Sequence, residues 1–197
     1  MQVRRISHWL FSLLVLCLVT GCPTMAPTGP RSFKPKSTEV YTHAPSSFQF
    51  PPSAQGFDRE TVVEYDSRGE NIGVGYNHPS LGIAATIYVY PIPPQGLDST
   101  LKGHFETCKN DVLRRPGAKL LLEKPVQVMP GGKERSGEYA SFAYTELFAQ
   151  ARQPLHSELF LFTHGSWFIK CRASYPEGQR VAAAPMVRLL INELVWP

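Results

Sequence analysis

Apolar and polar positions divide the chain into three regimes. Leu10 to Val19 is an apolar run interrupted only by Ser12. From Cys22 to Gly56, prolines, serines and threonines dominate and apolar residues are scattered. From Phe57 onward apolar residues recur first at every second position and then at helical spacing, the marks of strands and helices.

Within the third regime, residues 61–66 (TVVEYD), 72–77 (IGVGYN) and 83–90 (IAATIYVY) read as strands of a meander, separated by Gly, Asn, Ser and Pro. The last alternates cleanly, with Ile83, Ala85, Ile87 and Val89 on one side and Thr86, Tyr88 and Tyr90 on the other. Leu101, Phe105, Cys108 and Val112 then form a helical stripe. Asp98 or Ser99 supplies an N-cap, Arg114 and Arg115 suit the C-terminal end, and Pro116-Gly117 stops the helix. Strands follow at about 119–128, 137–148, 157–164 and 167–175. Gly165-Ser166 is a two-residue hairpin turn, which sets His164 opposite Trp167, Phe162 opposite Ile169 and Phe160 opposite Cys171. Phe160, Phe162, Ile169 and Cys171 thus share a face that reads as buried. A closing helix near 182–195 carries Val187, Leu190, Ile191 and Leu194, with Pro185 confined to its first turn. The expected fold is α+β, a single domain over 57–197. Its antiparallel sheet has about six to seven strands, with two main helices packed against it.

The N-terminus reads as an address. Arg4 and Arg5 precede an apolar core of about ten residues, half the roughly 20 needed to span a bilayer, which fits a secretory signal. Val19-Thr20-Gly21-Cys22 resembles the bacterial lipobox, an aliphatic and two small residues before the cysteine that is modified. The resemblance implies that residues 1–21 are a signal peptide cut between Gly21 and Cys22. It also implies a diacylglyceryl thioether on Cys22 and a palmitate-type acyl chain on its new amino group. Several chains at about 0.8 kcal/mol per buried CH₂ anchor stably. Pro23, rather than Asp, after the modified cysteine favours the outer membrane, facing the periplasm.

Charge and composition narrow the class. The net charge of +4 falls to +2 once Arg4 and Arg5 leave with the signal, too little for the basic face of a nucleic-acid binder. Residues 22–56 contain Pro23, Pro27, Pro30, Pro35, Pro45, Pro51 and Pro52 and read as a lipidated N-terminus and tether. At about 3.1 Å per residue, some 25 residues reach roughly 75 Å. Phe48 and Phe50 alternate with polar neighbours, so a short first strand near 48–50 is expected.

Cys108 and Cys171 remain in an oxidising compartment, where a pair reads first as a disulfide. Two buried thiols, or a metal site with His104, are the alternatives, and no second ligand cluster supports zinc. Ser99 to Lys102 matches S-x-x-K, but its companion motifs are absent and helix capping accounts for Ser99. His164 beside a turn reads as a surface residue, and His156 lies at the other end of the same strand. Gly73-Val-Gly75 sits inside a strand with no third glycine or following helix, which excludes a dinucleotide site and indicates a bend or close packing. No catalytic motif and no cofactor motif is present. Tyr76, Tyr88, Tyr90 and Trp167 are the candidate aromatic binding face.

The order strands, helix, strands, helix resembles PsbP, the extrinsic subunit of photosystem II, over about residues 48–197. The Tyr-rich strand TIYVY (86–90) is similar to that of a group of bacterial lipoproteins of uncharacterised function. The first is a likeness of fold, which does not settle function. The expected function is a non-enzymatic accessory or interaction protein of the cell envelope. Lipid on Cys22 holds it to the membrane, and its partner is an envelope protein or cell-wall component. A small hydrolase or transferase using Glu138, Glu146 and Glu158, or a ligand-binding module, are the alternatives.

Overall fold

The computed structural model describes residues 29–197. The expected signal peptide, with Gly21 and Cys22, lies outside the described residues. Eleven strands run in chain order: β1 (Arg31–Phe33), β2 (Tyr41–Thr42), β3 (Gln49–Phe50), β4 (Ser53–Ala54), β5 (Phe57–Glu64), β6 (Ile72–His78), β7 (Ile83–Pro91), β8 (Lys119–Val128), β9 (Arg135–Phe148), β10 (Ala151–His164) and β11 (Trp167–Pro176). Helix α1 (Leu101–Leu113) separates β7 from β8, and α2 (Arg180–Glu193) follows β11.

All but β2 and β3 join one nine-stranded antiparallel sheet, ordered β1-β5-β6-β7-β11-β10-β9-β8 with β4 beside β5. The α+β class and the strands–helix–strands–helix order are therefore as expected. The chain meanders inward from one edge through β5, β6 and β7, and α1 carries it to the far edge at β8. It returns through β8 to β11, so that β11 closes against β7. The Gly165-Ser166 turn gives the expected register, including Phe160 opposite Cys171. At the outer edge, β8 has a register shift between Leu120 and Leu122.

Two cores lie on opposite faces of this sheet. One holds Phe160, Phe162, Ile169 and Cys171 beneath α2, joined by Phe48, Phe50, Val187, Leu190, Ile191 and Trp196. The other packs Phe105, Cys108 and Val112 of α1 on Ala140, Phe142, Leu159, Leu161 and Phe168.

The strand count exceeds the expectation because the proline-rich segment is part of the domain from Arg31 on. Residues 31–56 carry β1 to β4, and Phe48 and Phe50 are fully buried. Each such burial stabilises by about 2–3 kcal/mol. Buried Arg59 fastens the segment, donating to the carbonyls of Phe50 (2.6 Å), Glu39 (2.7 Å) and Lys36 (3.0 Å). Residues 31–56, expected as part of a tether, thus belong to the folded domain.

Two local expectations are also corrected. The N-cap of α1 is Thr100, whose hydroxyl accepts from the Gly103 amide at 3.1 Å, while Ser99 donates to the Gly96 carbonyl. Helix α2 starts at Arg180, so Pro185 stands in its second turn. The Val181 carbonyl loses its intrahelical donor there, which costs little because Val181 is exposed.

Candidate functional site

Helix α1 covers only the β9–β10 half of its face of the sheet. Among the described residues no helix lies over β5 and β6 on that face, and α1 reaches β11 and β7 only at their Phe168 and Tyr90 ends. The ladder register arranges this face in rows: Val63, Gly73, Tyr88 and Lys170 in one, and Thr61, Gly75, Thr86 and Arg172 in the next. The two glycines hollow the floor. A Cβ on Gly73 would lie 3.2 Å from both the Tyr65 and Tyr88 rings, and one on Gly75 would lie 3.0 Å from the Thr61 hydroxyl. Without them, Tyr65 and Tyr88 stack over β6 with ring centres 6.2 Å apart. The expectation of close packing at Gly73-Val-Gly75 is met.

Lys170 and Arg172 rise from the floor, half-buried and two residues apart on β11. The Lys170 ammonium is 4.5 Å from the ring centre of Tyr88 and 5.3 Å from that of Tyr90. Arg172 donates to the Ser157 hydroxyl at 3.3 Å, and its buried Nε has no partner among the described residues. Among the described residues neither cation forms a salt bridge. Burial lowers the pKa of both. Two hollows of about 280 Å³ each flank Tyr88. One is lined by Tyr65, Tyr90, His104, Cys108 and Lys170, the other by Thr86, Arg115, Tyr144, Arg172 and Ser174.

The α1 side of the first hollow carries a polar chain. His104 places Nδ1 3.2 Å from Asp98 and Nε2 2.7 Å from the Tyr90 hydroxyl, with Cys108 Sγ at 3.7 Å. Its ring stacks on Phe168 at 4.4 Å. Nucleophile, base and orienting carboxylate are thus adjacent. Asp98 accepting from Nδ1 leaves Nε2 to accept from Tyr90, which occupies the lone pair a thiol would need. Burial also pushes the Cys108 thiol up rather than toward thiolate. The arrangement holds Tyr90 and His104 in place more than it activates sulfur. A wider hollow of about 600 Å³ beside Arg152 and Arg180 lies elsewhere, and Arg180 there faces Glu177 at 3.4 Å.

The expected disulfide does not form: Cys108 and Cys171 are both free. Cys171 points into the α2-side core and Cys108 into the α1-side core, so the sheet itself separates them. The aromatic face is likewise divided. Tyr88 and Tyr90 lie on the open side, whereas Tyr76 is buried on the other and donates to the Pro51 carbonyl at 2.8 Å. Trp167 packs on the α2-side core, edge-on to His43. His164 is not a bare surface group, for its ring packs edge-on against Phe48 and Trp196.

The three carboxylates do not converge. Glu158 is buried on the α2 side, accepting from the Tyr139 hydroxyl at 2.8 Å, and exposed Glu146 pairs with Arg115. Glu138 stands eight residues from Glu146 on one strand, roughly 26 Å away. Lys170, Arg172, Tyr65 and Tyr144 were not singled out from the sequence. The only signal was their alternation with buried neighbours, which ordinary solvent-facing residues share.

Together these features define a small α+β domain with a half-covered sheet whose free half is lined by tyrosines and cations. No family model matches the chain, and no curated protein matches its sequence. Among solved structures it is similar to the cyanobacterial PsbP (CyanoP) of Synechocystis sp. PCC 6803, at 12% identity over 91% of this chain and 99% of that one, with a TM-score of 0.47. It is also similar to LpqN of Mycobacterium tuberculosis, described as involved in cell envelope biogenesis, at 9% identity, 85% and 92% coverage and a TM-score of 0.42. A protein of unknown function from Pseudomonas aeruginosa, PA94, matches at 11% identity, 81% and 96% coverage and a TM-score of 0.43.

Proposed function

We propose that this chain is a lipid-anchored accessory protein of the bacterial cell envelope that acts by binding, through the open half of its sheet. The anchor rests on the sequence from Arg4 to Cys22, with the lipid on Cys22 and the outer membrane as the site of attachment. No helix among the described residues is long and apolar enough to cross a membrane. Binding is carried by one observation, a glycine-floored, tyrosine-walled sheet face left without a covering helix. Paired acid and base chemistry does not compete for that face, since Glu138, Glu146 and Glu158 are dispersed.

Two measurements test this. Intact mass spectrometry of membrane-extracted protein is expected to show a chain beginning at lipidated Cys22, and a Cys22→Ala variant should lose the lipid mass. An unlipidated chain would remove the anchor. A photo-crosslinking residue placed at Thr86 in the open face should give a defined adduct in intact cells, and one placed at exposed Val181 of α2 should not. Equal adducts at both positions, or none at Thr86, would sink the assignment of the face.

A further inference from the structure

We infer that the open face takes a small molecule bearing one anionic group, carboxylate or phosphate, on a flat apolar body, with Lys170 and Arg172 holding the anion and the tyrosines covering the body. This rests on the reading of that face as a binding surface and states what it recognises.

The charge accounting around the face leads there. Arg115 is engaged by Glu146, Arg114 by Asp111 at 2.8 Å, Lys109 by Glu106 and Glu123 at 2.7 Å each, and Asp98 by His104 and Thr107. The acidic groups nearby are thus taken, and the two cations left over are the two in the floor. A half-buried cation loses hydration and regains it only through a counter-charge or hydrogen bonds. Tyr88 and Tyr90 return part of this to Lys170 through their ring faces. Arg172 has the Ser157 hydroxyl and nothing at Nε. Lys170 and Arg172 stand two residues apart on one face of β11 and line the hollows on either side of Tyr88, so an oxyanion entering there would meet an ammonium point charge or part of a guanidinium fork, groups suited to carboxylate and phosphate.

Shape supplies the rest of the ligand. Gly73 and Gly75 let the Tyr65 and Tyr88 rings lie low on the strands, and the hollows beside those rings, walled by Tyr65, Tyr88 and Tyr90 on one side and by Tyr88 and Tyr144 on the other, are where a flat group can settle. Two hollows of about 280 Å³ suit a small aromatic acid rather than a folded partner.

The experiment is calorimetric titration of the full-length, detergent-extracted protein at low salt with phenyl phosphate, benzoate and neutral benzamide. Both anions are expected to bind, with benzamide at least about tenfold weaker. The double variant Lys170→Met with Arg172→Met should weaken both anions by at least about tenfold and leave benzamide unchanged. The tighter of the two anions identifies the head group. Equal binding of all three probes, unaltered in the double variant, overturns the anion and leaves a binding face. Absence of binding by any probe to a natively melting protein counts against both readings. Removing two uncompensated charges should not lower the melting temperature. A marked loss of stability would show the cations to be structural and would also overturn the inference. Should the double variant not fold, Lys170→Gln alone carries the same comparison.

Discussion

Lys170 and Tyr88 stand directly opposite each other on β11 and β7, with the lysine ammonium 4.5 Å from the tyrosine ring centre. Gly73 lies next in the same row, and its bare backbone is what lets the Tyr88 ring lie low enough to meet both Lys170 and Tyr65. The half-open sheet face is organised around this pair.

Gly73→Ala should disturb it. The added methyl meets two rings at 3.2 Å, so Tyr65 or Tyr88 must shift. A loss of about 1 kcal/mol in urea unfolding is expected, as for modest overpacking. Changed tyrosine fluorescence should accompany it. An unchanged midpoint and spectrum would mean the rings move freely.

The cysteines should behave as unlike thiols. Peptides containing Cys108 and Cys171 should carry no disulfide when the protein is alkylated under native, non-reducing conditions. Cys108, which lines a hollow, should be modified well before Cys171, which is buried in the other core. A cross-linked peptide pair would contradict the separation of the two faces.

Arg59→Met should release the N-terminal segment. It removes three hydrogen bonds to the carbonyls of Phe50, Glu39 and Lys36, leaving those acceptors without their charged donor. A destabilisation of about 2–4 kcal/mol is expected from the loss of charged hydrogen bonds. Hydrogen exchange should rise first in residues 31–50. Wild-type protection there would show that Phe48 and Phe50 suffice.

Glu158 gives a pH-dependent prediction. Burial raises its pKa, so the folded state favours the protonated carboxyl. Below the usual carboxyl range both states are protonated and no penalty exists. As pH rises through that range the unfolded chain ionises while the folded one resists, and stability falls until the raised value is passed. Glu158→Gln keeps the acceptor for Tyr139 and removes this loss. The variant should melt higher than wild type at neutral pH, with the difference vanishing toward pH 4. A gap independent of pH would point to packing instead.

Much of the architecture was legible because it is local. The stripe Leu101, Phe105, Cys108, Val112 defines α1, and Gly165-Ser166 sets the β10–β11 register residue by residue. The proline-rich stretch was misleading because its composition matches a solvated spacer. Its burial depends on Arg59, Trp196 and the α2-side core, which lie far along the chain. The candidate site was half legible. Tyr88 and Tyr90 stood out, but Lys170 and Arg172 look like any exposed positions of an alternating strand.

What the sequence determined by itself is which residues share a side of each strand and which stripe each helix offers, because periods of two and of 3.6 follow from backbone geometry alone. Only the tertiary structure decided which side each helix covers. That choice separated Cys108 from Cys171, parted Tyr76 and Trp167 from Tyr88 and Tyr90, and left Lys170 and Arg172 under no helix. The reason is physical. Alternation is the same whichever face is up, and helix docking is settled by long-range packing of the whole sheet.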